Sequence, residues 1–141
     1  MLVKDAMKKK VIFSSPEESV RDAIRTIVDN RIGCVVIKKN ERIIGIVTDR
    51  DILFEIEKNG IDINNTPLKD IMTHYVIYIN PEASVEKAVK TMITNNIKKL
   101  PVIKNEKLVG IITTTDIVIS EPQRTEELKK LLLKKSKKFY L

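Results

Sequence analysis

The chain has few of the residues that carry covalent, metal or redox chemistry. Its 141 residues include one cysteine, one histidine and no tryptophan. The single cysteine, Cys34, excludes an intrachain disulfide and a cysteine metal motif, and its apolar neighbours predict a buried structural thiol. His74 has no recognisable catalytic partner, and the sequence contains neither a P-loop nor a Gly-x-Gly-x-x-Gly motif. We therefore predict a protein that is not an enzyme and requires no cofactor.

Long apolar runs are also missing. No run approaches the length of a membrane span and no signal peptide is visible, so we expect a soluble, cytoplasmic protein without a membrane partner. Apolar residues nevertheless make up 43% of the chain, which excludes a disordered protein, whereas aromatic residues make up only 4%. The apolar positions are mainly isoleucine and valine, which suit buried strands and layered helices.

The positive charge is concentrated at the C-terminal end. Residues 124–141 contain one arginine and six lysines against two glutamates, which gives +5 of the total net charge of +7. A helix is expected after Pro122, with Leu128, Leu131 and Leu132 on one side. Its lysines lie toward the C-terminal end, where cations interact favourably with the helix dipole.

The same pattern occurs twice, at a constant offset of 65 residues. Residues 4–7 (Lys-Asp-Ala-Met) return as residues 69–72 with three of four identities, and the Gly-x-x-Thr-x-x-Asp-Ile motif of residues 45–52 returns as residues 110–117. Of the 50 positions from 4 to 53, 21 are identical to their counterparts. The duplication predicts two copies packed with pseudo-two-fold symmetry, because each copy alone would bury too little apolar surface.

Each copy contains the signals of a strand, a helix, two strands and a second helix. A short β-type stretch runs into a Pro-Glu motif, and Ser19 and Ser84 are good N-caps of helices with one apolar stripe; Asp22 completes a capping box with Ser19. Two apolar runs joined by a short polar segment containing asparagine then predict a hairpin. A second helix is expected after Thr48 and after Thr113.

The predicted fold class is therefore α+β: two β-α-β-β-α repeats with helices on one face of a small sheet, and a C-terminal helix. We assign residues 1–60 to the first repeat and 61–67 to a linker, with Gly60 as the helix C-cap before it. Residues 68–120 form the second repeat, and residues 121–141 form the basic C-terminal helix and tail.

The combined pattern resembles the CBS domain, named after cystathionine β-synthase. The matching features are Lys-Asp-x-Met, Pro-Glu-x-Ser-Val, Leu-Pro-Val and the doubled Gly-x-x-Thr-x-x-Asp-Ile, which together cover residues 1–120. The resemblance implies a stand-alone tandem pair that forms one disc-like module with two clefts between the repeats. In the family these clefts bind AMP, ADP, ATP or S-adenosylmethionine, and the modules regulate another activity and commonly form homodimers through their helices.

The resemblance assigns Asp51 and Asp116 to the ribose-binding position, and Thr48 and Thr113 to a hydroxyl position near the phosphate or ribose. The chemistry agrees, because a carboxylate accepts hydrogen bonds from both ribose hydroxyls and a helix start offers free N–H groups. Thr-x-x-Asp is equally the pattern of a helix capping box. The two roles can coexist, because the cap and the cleft use the same helix start.

A basic residue that reaches phosphate is implied at Lys99, with Lys98 beside it. Pro101 of the adjoining Leu-Pro-Val motif is included in the expected site. The first repeat has Gly33 and Cys34 in place of the two lysines, so the two clefts should differ in phosphate affinity. Simple solvated charge is the alternative explanation for both lysines.

The first repeat offers a different cation. Arg50, which stands where the second repeat has Thr115, is a second phosphate candidate, and a surface ion pair is its alternative. The adenine is expected to lie against the first strand of each repeat, where ordinary core packing is the alternative. The residues concerned are Val11, Ile12, Val76 and Ile77.

Three functions follow from these patterns. The first is a regulatory module that senses an adenosine nucleotide or S-adenosylmethionine and modulates a separate effector protein. The second is a nucleic-acid-binding protein that uses the basic tail, since Lys134–Tyr140 combines cations with aromatic rings and phosphate contacts of this kind weaken steeply with salt. The third is a structural homodimer without a ligand.

Overall fold

A computed structural model describes residues 1–74 and 77–133 of the chain. It divides the chain into two compact units that do not follow the order of the repeats. The central unit comprises Ile12–Val76, and the terminal unit comprises Met1–Val11 together with Ile77–Leu141. The segment that opens each repeat is thereby placed with the unit built on the other repeat.

Both units are built from short strands and helices, which confirms an α+β fold with a C-terminal helix. The first strand expected in the second repeat is reduced to an isolated parallel bridge between Ile79 and Val102. Two 3-10 turns, Leu68–Asp70 and Pro122–Arg124, complete the described elements. In chain order the other elements are α1 (Val3–Ala6), β1 (Phe13–Ser14), α2 (Val20–Asn30), β2 (Cys34–Lys39), β3 (Arg42–Thr48), α3 (Asp49–Asn59), α4 (Val85–Asn95), β4 (Lys99–Lys104), β5 (Lys107–Thr113), α5 (Thr114–Ser120) and α6 (Thr125–Leu133).

The central unit contains a three-stranded sheet in the order β1-β2-β3. Strand β1 is parallel to β2, and β2 is antiparallel to β3. The first strand begins at Phe13, two residues after Val11, the first of the residues expected in this strand. The reason is that the chain leaves this unit at Val11, so Ile12 is the first residue that hydrogen-bonds β2, through its carbonyl to the Val36 amide.

The hairpins close through two-residue turns, as the asparagine predicted. Asn40 and Glu41 both have positive φ, 52° and 65°, and Asn105 and Glu106 repeat this at 51° and 66°. Two successive left-handed residues are the signature of a type I′ turn, whose twist matches that of the flanking strands. The strands consequently extend into the polar segment that the sequence assigned to a loop.

The helices begin and end at the predicted signals. Ser19 and Asp22 form the reciprocal capping box of α2, while Ser84 caps α4 alone because Lys87 stands at the third helical position. Gly60 ends α3 in the left-handed conformation, with φ of 58°.

Each unit has its own apolar core. The central core joins α2, β2, β3 and α3 with the turn at Leu68. The terminal core joins α1, α4, β4, β5 and α5 and includes Leu128 and Leu131 of α6. Leu132, expected on the same side, is instead exposed. The turn before α6 is held by an ion pair of buried Glu121 with Arg124, and Glu121 raises the pKa of the Arg124 guanidinium through this hydrogen bond.

Glycines let the exchanged segments lie directly on the sheets. A Cβ at Gly110 would lie 2.6 Å from Sδ of Met7 and 2.8 Å from the carbonyl oxygen of Lys8, both in the terminal unit. A Cβ at Gly45 would lie 2.6 Å from Sδ of Met72 in the central unit. The repeated Lys-Asp-x-Met and Gly motifs are therefore partners in packing, each methionine against the glycine of the other repeat.

Candidate functional site

Two buried carboxylates stand at equivalent helix starts, one in each unit. Asp51 is 3% exposed and Asp116 is 6% exposed. Aspartate is rarely buried unless its charge is compensated. In the central unit Thr48 donates its backbone N–H to Oδ2 of Asp51 at 2.9 Å, and the Asp51 N–H donates to the threonine hydroxyl at 3.1 Å. Thr113 and Asp116 repeat both distances in the terminal unit.

The capping box anticipated for Thr-x-x-Asp is thus present in both units. It engages one oxygen of each carboxylate, Oδ2, and an ionised carboxylate has about four lone-pair directions in all. The helix starts are further fixed by backbone bonds, from the Asp49 N–H to the Gly33 carbonyl and from the Thr114 N–H to the Lys98 carbonyl. Capping and acceptance of further hydrogen bonds are therefore chemically compatible.

The strand register places a different side chain beside each capping threonine. Cys34 is the direct cross-strand neighbour of Thr48, and Lys99 is the direct neighbour of Thr113. Such pairs share one face of the sheet, and here it is the face opposite the core residues Val35 and Leu100. Cys34 is half-buried rather than buried as predicted, and it stands at the first position of β2, where the strand begins. Lys99 therefore lies on the same sheet face as Thr113, the N-cap of α5.

Lys98 is engaged elsewhere. Its ammonium donates to the carbonyl of Leu132 at 3.5 Å, near the C-terminal end of the described part of α6. The two neighbouring lysines of the second repeat are therefore not equivalent, and Lys99 is the one that lies across from the capping threonine.

A lysine that the sequence did not single out lies against the second carboxylate. The ammonium of Lys8 is 3.7 Å from Oδ1 of Asp116, the oxygen outside the capping box. The backbone of Lys8 exchanges two hydrogen bonds with Ile111 of β5, at 2.9 and 3.0 Å. Sequence order assigns Lys8 to the first repeat, so only its placement in the terminal unit reveals this contact.

The remaining expected residues are distributed between the units. Arg50 and Thr115 occupy matching exposed positions in the first turns of α3 and α5. Ile77 is half-buried and packs against the terminal core, in agreement with the core alternative. Pro101 is buried and accepts a sheet hydrogen bond from the Ile79 N–H at 3.0 Å, which is a structural role.

The expected adenine-facing pairs are split. Val11 belongs to the terminal unit and Ile12 to the central unit, and both are half-buried. Val76 lies outside the described residues, so its expected contact with the adenine stays a prediction. The aromatic and most of the basic part of the C-terminal tail, residues 134–141, also lies outside them. A nucleic-acid interface on that tail stays a prediction.

Across residues 1–74 and 77–133, no group of three or more histidine, cysteine, aspartate or glutamate residues is arranged to hold a metal ion. Within the same ranges no helix has both the length and the apolar character needed to cross a bilayer.

The repeat is that of a known family. A family model for the CBS domain matches residues 3–58 and again residues 68–120. The chain belongs to the CBS domain family. Proteins that consist of CBS domains without an attached enzyme are generally regulatory rather than catalytic.

Several curated proteins are similar over most of this CBS chain. An uncharacterised protein of Methanopyrus kandleri, MK0525, is 34% identical over 134 residues, which cover 91% of this chain and 68% of the relative. The CBS domain-containing protein YhcV of Bacillus subtilis is 29% identical over 119 residues, or 84% of each chain. Both matches extend across the two CBS repeats.

Solved structures of CBS domain pairs share the fold. The CBS domain pair of protein MJ0100, solved in complex with methylthioadenosine and S-adenosylmethionine, has a TM-score of 0.79 and 26% sequence identity to this chain. The similarity covers 88% of this chain and 98% of that one. Both bound molecules contain an adenosine group.

Proposed function

We propose that this CBS protein is a regulatory module that binds adenosine-containing ligands, with AMP, ADP, ATP and S-adenosylmethionine as the candidates. One site lies at the capped helix start of each unit, and ligand binding modulates a separate effector protein in the cytoplasm. The observation that carries the proposal is the pair of buried carboxylates, Asp51 and Asp116, held by the same two hydrogen bonds in both units.

The carboxylates suit a ribose. The 2′- and 3′-hydroxyls of a ribose are adjacent donors, and a carboxylate can accept from both, with charge-assisted hydrogen bonds that are stronger than neutral ones. The capping box holds each carboxylate in one orientation before the ligand arrives. Such preorganisation reduces the ordering cost of binding.

The likeness to the MJ0100 pair supports the ligand class. That protein binds methylthioadenosine and S-adenosylmethionine, which share the adenosine group and differ at the 5′-substituent. A site that recognises the shared group explains why the ribose-binding position is repeated in this chain. The residue across from the capping threonine is Cys34 in the central unit and Lys99 in the terminal unit. This difference in charge then adjusts which 5′-substituent each unit accepts.

The test separates ligand binding from helix capping. In Asp51→Asn and Asp116→Asn the side-chain carbonyl can keep the hydrogen bond to the threonine N–H, whereas the amide group replaces the second acceptor and the charge is removed. Loss of a hydrogen bond to a charged group corresponds to a fall in affinity of roughly ten- to 150-fold. We expect isothermal titration with AMP and S-adenosylmethionine to lose one binding event in each variant.

A third capping box provides the matched control. Asp22 forms the same reciprocal bonds with Ser19 at the start of α2, a different helix from α3 and α5, whose starts hold the candidate sites. Asp22→Asn should leave both binding events unchanged. The proposal fails if none of AMP, ADP, ATP and S-adenosylmethionine binds the parent protein at millimolar concentration, or if Asp22→Asn reduces affinity as much as Asp51→Asn does.

We also propose self-association into a homodimer through the helices of the central unit. In the terminal unit α6 covers α4 and α5, and its Leu128 and Leu131 are buried there. No described helix plays this part for α2 and α3 within the central unit, where Val28 and Leu53 are each 65% exposed and Ile56, three residues after Leu53 on α3, is exposed as well. An apolar surface of this kind on a soluble domain indicates an interface, and a second copy of the same face is self-complementary.

Light scattering coupled to size-exclusion chromatography tests the dimer. Leu53→Glu should shift the protein from dimer to monomer, because it places a charge in the centre of the apolar face. Lys58→Glu, an exposed charge change elsewhere on α3, is the control and should leave the dimer intact. A monomeric parent protein would exclude this part of the proposal and leave ligand binding untouched.

A further inference from the structure

We infer that Lys8 favours adenosine ligands with an anionic 5′-group at the site of the terminal unit, whereas Thr73, the matching residue of the central unit, supplies no such preference. The inference rests on the proposed function, because it concerns the charge of the ligand bound there. It assigns a specificity-determining role to a residue in the opening segment of the chain.

The Lys8 ammonium lies within ion-pair distance of the Asp116 carboxylate, and the Lys8 backbone is held in place by hydrogen bonds. Its ammonium lies 3.7 Å from Oδ1 of Asp116, while the capping box engages Oδ2. The backbone of Lys8 is fixed by two hydrogen bonds to Ile111, and the preceding Met7 packs over Gly110. The side chain is 69% exposed, so the ammonium can move while its attachment point stays in place.

The central unit contains a natural comparison. The residue 65 positions after Lys8 is Thr73, and it exchanges the same two backbone hydrogen bonds with Ile46, at 3.0 and 3.2 Å. The backbone arrangement is therefore duplicated, and only the side chain differs. A hydroxyl stands in one unit where the other unit has a cation.

The surrounding charge also differs between the units. The opening segment carries Lys8, Lys9 and Lys10 into the terminal unit, where Lys99 already lies across from Thr113. The counterparts of Lys9 and Lys99 in the central unit are His74 and Cys34, and the central unit in turn has Arg50 where the terminal unit has Thr115. A local excess of positive charge attracts anions, and the attraction weakens as salt is added.

Ligand binding changes the partner of Lys8. A ribose that donates to Oδ1 of Asp116 takes the oxygen now paired with the ammonium. A 5′-phosphate offers the displaced ammonium a new anionic partner, whereas an uncharged 5′-group offers none. An exposed ion pair corresponds to at most about a fivefold change in affinity, which sets the size of the expected preference.

Two probes isolate the 5′-group. AMP carries a phosphate at the 5′-position, and methylthioadenosine carries an uncharged methylthio group on the same adenosine. Titrations in the Asp51→Asn background, which retains the site of the terminal unit, measure the affinity ratio of the two ligands. Lys8→Thr should lower the AMP-to-methylthioadenosine preference about fivefold and flatten the dependence of AMP affinity on salt.

A charge control and a gain-of-function variant complete the test. Lys107→Thr removes an exposed lysine at the far end of β5 and should leave the ratio unchanged. Thr73→Lys, in the Asp116→Asn background, should raise the AMP preference of the central unit. An unchanged ratio in Lys8→Thr, or an equal change in Lys107→Thr, overturns the inference. Absence of binding by both probes in the parent protein overturns the proposed function instead.

Discussion

In the central unit the residue across the ladder from the capping threonine is Cys34, and in the terminal unit it is Lys99. The residue that follows the packed methionine is Thr73 in the first case and Lys8 in the second. Yet both threonine–aspartate boxes have the same hydrogen-bond lengths. The duplication has preserved the backbone frame and the carboxylate while the charge around it has diverged.

The outer helices differ as well. The terminal unit has α6, which contributes Leu128 and Leu131 to its core, whereas the central unit exposes Val28 and Leu53 on its own helices. One repeat unit thus completes its core with a segment from outside the repeat. Both units leave apolar side chains exposed on their helices: Val28 and Leu53 in the central unit, Ile93 and Ile119 in the terminal unit. The comparison separates what the repeat needs to fold from what each copy adds.

The largest expected effect concerns α6. Leu128 is fully buried, so Leu128→Ala should lower the free energy of unfolding by about 2–5 kcal/mol through lost burial and a cavity. Hydrogen exchange should show the loss of protection in α4, β4 and β5 and much less in β2 and β3. Leu133→Ala, at a side chain that is 77% exposed, should change stability by about 0.5 kcal/mol or less. Equal effects of the two variants would show that α6 does not complete the terminal core.

The second-largest effect on stability is expected at Gly110 and Gly45, the glycines against which Met7 and Met72 pack. Gly110→Ala and Gly45→Ala should each cost about 1–3 kcal/mol, because the new methyl group forces the packed segment away. Gly110→Ala should cost more, since its nearest backbone oxygen, that of Lys8, lies at 2.8 Å, against 3.0 Å for the Thr73 oxygen beside Gly45. Limited proteolysis should detect release of residues 1–11 in Gly110→Ala.

A double variant shows whether the Met7 side chain or the Lys8 backbone leaves no room for a methyl group at residue 110. Met7→Ala combined with Gly110→Ala removes the flexible thioether but not the Lys8 carbonyl. We expect the double variant to remain destabilised relative to Met7→Ala alone. Full recovery would mean that the side chain, rather than the backbone, sets the close approach.

Much of this arrangement could be predicted from the sequence because its signals are local. The caps at Ser19 and Thr48, the glycine at the end of α3 and the asparagine of each hairpin turn act within a few residues. The doubled Thr-x-x-Asp motif likewise located the two carboxylates.

The placement of the opening segments could not be predicted in the same way. Lys8 belongs to the first repeat in sequence, and nothing local indicates that its segment packs on β5. Both repeats offer a glycine with the same neighbours, so pattern alone does not decide which methionine covers which glycine. The exchange is a long-range packing outcome, and it is what brings a cation to Asp116.

A smaller effect is expected at the start of α4. Asp22 completes the capping box of α2, but its counterpart Lys87 places a positive charge at the positive end of the α4 dipole. Lys87→Asp should raise the free energy of unfolding by about 0.3–1 kcal/mol, which calorimetry can detect as a higher Tm. Lys87→Ala should give a smaller gain, because it removes the charge without supplying an acceptor. An equal gain in both variants would mean that the capping box adds no stability beyond the removal of the Lys87 charge.

The smallest difference concerns one exposed carboxylate and its counterpart. Lys4 hydrogen-bonds Glu82 at 3.0 Å and is the main cause that lowers the pKa of Glu82 below its ordinary value of 4.5, with a further contribution from Lys104. A carboxyl with a lowered folded-state pKa stabilises the fold above its unfolded-state pKa, and this contribution is lost as pH falls through the folded-state value. Glu82→Gln should therefore lower the Tm slightly near pH 7 and have no effect at acidic pH, where the parent carboxyl is protonated. The counterpart of Glu82 is Glu17, whose carboxylate lies 3.8 Å from the Lys39 ammonium, so Glu17→Gln should lower the Tm less. If Glu82→Gln still differed from the parent protein in Tm at acidic pH, packing rather than charge would account for the contribution of Glu82.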